Sequence, residues 1–221
     1  MLLNVIFSFL IELTQIAYSK EYLTMPRDSD LIRPSSSAPS HIQQISSDLR
    51  FIGRVSFWLQ LVLGVISAVL LSFGTLILLS STQRTKGIEI GLLAAIAGVV
   101  ILVIAIYFTR RYVQFSKDIL SPDPSERPKK TDTIQLIKTG IIFNLVGILL
   151  TIIGAEALIG ILLQKTLLIP QATITADPNK FINPADVLIV QANTNSIAAH
   201  FAGLICSLWL LNRVTQKINI S

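Results

Sequence analysis

Six polar side chains fall inside one apolar stretch of the chain: Gln191, Asn193, Thr194, Asn195, Ser196 and His200, within NPADVLIVQANTNSIAAHFAGLICSLWLLNR at residues 183–213. At membrane depth such groups cost free energy unless they find partners, so they face other helices or a wet cavity. The His200 ring donates at one nitrogen and accepts at the other. It can bind a metal ion, relay a proton, or hydrogen-bond a neighbouring helix. A second ionisable group, Glu156, lies in the apolar run at 140–163. Its carboxyl can stay protonated, pair with a cation, or bond an Asn, Gln or His of another helix; local water is the further alternative. Glu156, Gln191, Asn193, Asn195 and His200 are therefore the candidate transport or ion-contact residues. His200 and Glu156 are the candidate metal ligands.

The helix that must carry most of these groups is well marked. Asn183 suits an N-cap, Pro184 the first helical position, and Asp186 the first turn with its free N–H groups. At 100° per residue, Asn193, Ser196, His200, Gly203 and Ser207 form one stripe. Gln191 and Asn195 lie on nearly the opposite side. With a span over 186–211, His200 falls close to the membrane midplane.

The wider chain supplies the setting. Of its 221 residues, 52% are hydrophobic and 14% charged, a balance that belongs to an integral membrane protein. The expected fold is all-α: a polytopic membrane helical bundle with four main transmembrane helices at 55–80, 88–108, 140–163 and 186–211. The membrane domain covers 41–213. Before it lie an apolar extension at 1–24, without the basic start or cleavage site of a secretory signal, and a Ser- and Pro-rich segment at 25–40 expected to be disordered. A polar tail occupies 214–221. Ile42, Ile45, Leu49 and Ile52 recur at helical spacing, so this segment is either a short amphipathic helix at the membrane surface or an extension of the first span.

Small residues mark expected packing faces. Gly91, Ala95 and Gly98 do so in the second span, and Gly140, Asn144, Gly147, Thr151 and Gly154 form a seam in the third. Glu156 projects from the opposite side of that helix, beside Gly160. Gln60 lies near the end of the first span, where water or headgroups can satisfy it. Tyr107 and Tyr112 bracket Arg110 and Arg111 and read as an exit from lipid. Asp132 with Gln135 suggests a cap for the third span.

The net charge of +5 sits in loops beside apolar spans, which argues for an orientation signal rather than a nucleic-acid partner. Arg84, Lys86, Lys165 and Lys180 fall on one side, leaving 14 of the 18 Lys and Arg on the other. That places both termini and the central connector in the cytoplasm, or the stroma of a plastid. The single cysteine, Cys206, excludes an intrachain disulfide and suits a small buried apolar position. No phosphate-binding loop, dinucleotide fingerprint or His/Cys cluster is present, so no enzyme is expected.

RVSFWLQLVLGVISAVLLSF in the first span and DVLIVQANTNSIAAHFAGLICSLWLL in the fourth resemble a chloroplast inner-envelope family. It is known as the permease in chloroplasts and also described as the twenty-one-kilodalton Tic component; cyanobacterial relatives carry a conserved domain of unknown function. The resemblance covers residues 40–213, and VQANTN followed by HF is its most specific part. The long transit peptide of plant members is missing, so the chain is similar to the cyanobacterial form. This implies a multi-pass protein of a cyanobacterial plasma or thylakoid membrane, or of a plastid inner envelope.

The family is associated with iron transport and with protein import, and the resemblance implies both without choosing. The first expectation is a metal-ion permease or a component of one, since imidazole and carboxylate suit Fe2+ or Mn2+ as cargo, with no certain resident cofactor; the non-transporting reading is the alternative. One His and one Glu make a sparse ligand set, and four helices offer little for two rocking repeats. A homo-oligomer, most simply a dimer, is then expected. For import, the chain is a non-transporting component that assists translocation or assembly of other proteins, which become its partners alongside the lipid bilayer.

Overall fold

The computed structural model describes residues 40–80, 88–121, 123, 125, 127–168 and 183–218. The extension at 1–24 and all of 25–40 but Ser40 fall outside the described residues. Four helices follow in order: α1 (Ser40–Ser80), α2 (Ile88–Asp118), α3 (Lys130–Leu168) and α4 (Pro184–Ile218). Among the described residues there is no strand. All four helices are long and apolar enough to cross a membrane, so the chain is an integral membrane protein with an all-helical fold. Apolar surroundings favour this choice, since a helix satisfies its backbone hydrogen bonds within one segment.

Helix starts are set by side chains that meet free N–H groups. At α4 the Ala185 amide donates to Asn183 Oδ1 at 3.2 Å, and the Asn183 amide donates to Asp186 Oδ2 at 3.0 Å. This is a reciprocal cap of the capping-box type. At α3 the Lys129 amide donates to Asp132 Oδ2 at 3.2 Å. Asp132 thus caps from inside the first turn, while the helix begins earlier than its own position suggested.

Successive helices run antiparallel. Gly64 of α1 meets Leu102 of α2, Gly91 of α2 meets Leu158 of α3, and Asn193 of α4 bonds Thr151 of α3. Each helix packs on its neighbours in a closed 1-2-3-4 ring, with α2 and α4 also touching across the diagonal. The outward surface is apolar, with Val65, Phe73, Leu93, Val103, Ile153 and Phe201 all exposed.

The helices are longer than the spans expected from hydropathy. α1, of 41 residues, rises about 62 Å, roughly twice the hydrocarbon thickness. The excess gathers at the end holding the α2–α3 connector. There Ile45, Leu49, Tyr112, Leu136, Ile137, Leu210 and Val214 form a core. Asp48 pairs with Arg213 at 3.2 Å, and Ser46 Oγ–H donates to Ser116 O. Of the two readings of residues 42–52, the structure has the second: the segment continues α1, because Ile45 and Leu49 have a helical core to enter. Tyr112 is likewise fully buried rather than placed at an interface. In the connector, Asp123 accepts from the Ser125 amide and hydroxyl, which hold its carboxyl below the usual range.

Candidate functional site

Each of the four helices contributes one polar side chain to a shared network: Gln60 from α1, Thr109 from α2, Asn144 from α3 and His200 from α4. All four are buried. Gln60 Nε2–H donates to Asn144 Oδ1 at 2.7 Å. The Thr109 hydroxyl lies 2.8 Å from Gln60 Oε1 and 3.0 Å from Ala105 O, and its single proton serves one at a time. Asn144 Nδ2–H donates back to Gly140 O at 2.9 Å. His200 Nε2 lies 3.2 Å from Gly98 O, a group that only accepts, so this nitrogen carries a proton. Nδ1 lies 3.3 Å from Asn144 Oδ1.

Glycines make room for these groups. A Cβ on Gly147 would overlap the His200 imidazole, and one on Gly203 would overlap the Gln60 amide. The network therefore fills the space between the helices. Nε2 is taken up by Gly98 O and Nδ1 faces the Asn144 amide oxygen, so a metal ion would have to break the first contact or push the amide aside.

Further polar contacts continue the line towards both ends. Toward the end where α1 stops and α4 starts, Ser67 Oγ–H donates to Ala192 O and meets Ser196 Oγ, each at 2.6 Å. Asn193 Nδ2–H donates to Thr151 O at 2.8 Å. Beyond them Lys165 Nζ pairs with Asp186 Oδ2 at 2.6 Å, with both side chains nearly excluded from solvent. Toward the connector, the Tyr112 and Ser207 hydroxyls lie 3.2 Å apart. From Asp186 to Ser207 this file follows α4 for about 31 Å, the thickness of a bilayer core. One of its buried atoms, Asn193 Oδ1, has no hydrogen-bond partner among the described residues. Buried atoms of this kind are where an internal water is retained.

The sequence candidates divide between inside and outside. His200 and Asn193 are buried in the file. Asn195 is buried as well, and Gln191, exposed on α4, donates to Asn195 Oδ1 at 3.3 Å. Glu156 is exposed on α3, away from His200. The described residues hold no group of three His, Cys, Asp or Glu able to bind a metal ion. Gly91, Ala95, Gly98, Gly140, Asn144, Gly147, Thr151 and Gly154 are all buried between helices.

Gln60 differs from expectation, being fully buried rather than satisfied by water or headgroups. Thr109 was hidden beside Arg110 and Arg111, which suggest an interface; α2 in fact carries its buried face on to Ser116. A signal for both was present. Ser56, Gln60, Leu63, Ser67 and Leu71 recur at three- and four-residue spacing, and all are buried.

With this geometry in place, relatives can be compared. The chain is 27% identical over 219 residues to Protein TIC 21, chloroplastic, of Arabidopsis thaliana, covering 94% of this chain and 71% of the relative. No solved structure matches it. The family described as Protein of unknown function (DUF3611) matches residues 39–215, from the first turn of α1 to the last of α4, and the chain belongs to that family.

Proposed function

We propose that this protein is a non-transporting membrane component that assists the translocation or assembly of other proteins. The observation that carries this reading is the separation of the two candidate ligands. His200 is enclosed and hydrogen-bonded, whereas Glu156 faces outward. Among the described residues a single bundle then brings no two of these candidate ligands together for a divalent cargo, and its central polar groups hold helices together. The outward faces remain for contact with other chains.

A second reading, permeation of Fe2+ or Mn2+, is supported by one feature: the polar file along the bundle axis with its unpartnered Asn193 Oδ1. Opening it would require the helices to part at Gly147 and Gly203. Flux of Fe2+ and Mn2+ into vesicles containing the purified full-length protein separates the two. No uptake above protein-free vesicles is expected. Uptake that disappears in His200→Ala or Glu156→Gln, with folding intact, would replace the proposal with the permease.

A further inference from the structure

The outward face of α3 carries a group that lipid cannot satisfy. Glu156 is exposed, has no hydrogen bond or ion pair among the described residues, and is flanked by apolar Ile152, Ile153 and Ile159. It sits within the apolar run, about 7 Å from the middle of the 140–163 span. A carboxyl there needs a donor from outside its own bundle. One turn on, Gly160 has nothing among the described residues within 4 Å of the place a Cβ would occupy, so another backbone can approach closely.

The chain itself presents a matching donor. Asn193 bonds Thr151 O and lies against Gly154, which fixes the register of α4 on α3. In that register Gln191 is level with Glu156 to within about one helical turn. Gln191 is also exposed, on the neighbouring helix. Its Nε2 reaches Asn195 Oδ1 with one hydrogen and retains a second. Two copies inserted the same way in a membrane are related by an axis along its normal, so each residue meets groups at its own depth. A twofold axis beside the α3–α4 groove sets α3 of one copy against α4 of the other. Glu156 then accepts from the partner's Gln191, and Gln191 donates to the partner's Glu156.

We infer that this protein forms a twofold dimer through the outward faces of α3 and α4, closed by two symmetric Glu156–Gln191 hydrogen bonds. The inference rests on reading the outward faces as assembly surfaces and specifies one of them. Its complementarity is that of an acceptor and a donor at equal depth, which no other pair of exposed polar groups named above provides.

Cross-linking between differently tagged full-length copies tests it, in a Cys206→Ala background. Copies carrying Glu156→Cys are mixed with copies carrying Gln191→Cys and oxidised in the native membrane. The control pairs Glu156→Cys with Val65→Cys, an exposed position on α1. The 156–191 disulfide is expected to form at least about tenfold faster than the control. Equal rates would overturn the seam. As a second measurement, wild-type protein in nanodiscs is expected at two copies, and the Glu156→Ala, Gln191→Ala double variant at one, with its melting curve unchanged. A single-copy wild type would also overturn it. Metal flux in vesicles is a separate outcome, so the seam and the proposed function can fail independently.

Discussion

The inner and outer faces of α3 use the same residue types for opposite ends. Inward, Gly147 touches an imidazole, Asn144 bonds a diagonal helix, and Thr151 lends its carbonyl to α4. Outward, Gly160 touches nothing and Glu156 bonds nothing among the described residues. A glycine is a contact on one face and a vacancy on the other; a polar side chain is fully partnered on one and unprovided for on the other. The inner face finds most of its partners within one chain. The outer face is complete only when something else is supplied.

The largest test of this difference is a pair of glycine substitutions. Gly147→Leu drives a side chain into His200 in a closely packed core, and a loss of about 3 kcal/mol or more is expected. Gly160→Leu meets open space, and the stability of the isolated bundle should change by less than about 0.5 kcal/mol. Unfolding titrations in mixed detergent read both. Comparable losses would show that the two faces are not distinguished as the structure has them. In nanodiscs Gly160→Leu is expected to reduce the two-copy population, because it fills the close approach at the seam.

Next in size is the hydrogen bonding itself. Asn144→Leu leaves the Gln60 amide buried without its acceptor, at an expected cost of about 2 kcal/mol. Gln60→Leu alone should cost a similar amount. The double variant should cost less than the sum, since each single change strands the other's partner. Strict additivity would mean that the Gln60–Asn144 bond does not operate in the membrane.

Much of this arrangement was legible from spacing. Asn193, Ser196, His200, Gly203 and Ser207 share one buried stripe because helical period and burial coincide on α4. The four helices were legible from hydropathy, but their lengths were not. Hydropathy marks where lipid is tolerated, and α1 and α3 continue into water by packing Ile45, Leu49, Leu136 and Ile137 together. Gln60 was misplaced for a related reason. A lone amide in an apolar helix gives no hint of the Asn144 opposite, 84 positions later in the chain. Partnership across the bundle is a property of register, which residue types on one helix do not encode.

The smallest expected effect sharpens the comparison, because it falls on both faces alike. Thr151 is buried and Thr194 exposed, yet both hydroxyls donate to the carbonyl four residues back in their own helix: Thr151 to Gly147 O at 2.8 Å, Thr194 to Val190 O at 3.0 Å. Replacing either by Val keeps the shape and removes only a bond to a carbonyl already used by the helix. Each change should stay within about 0.5 kcal/mol, because neither strands a buried partner. The Asn193 bond to Thr151 uses the backbone oxygen and survives. If Thr151→Val matched the loss at Asn144, burial alone would set the worth of a polar group here. If it matched Thr194→Val instead, what counts is whether the bond crosses from one helix to another.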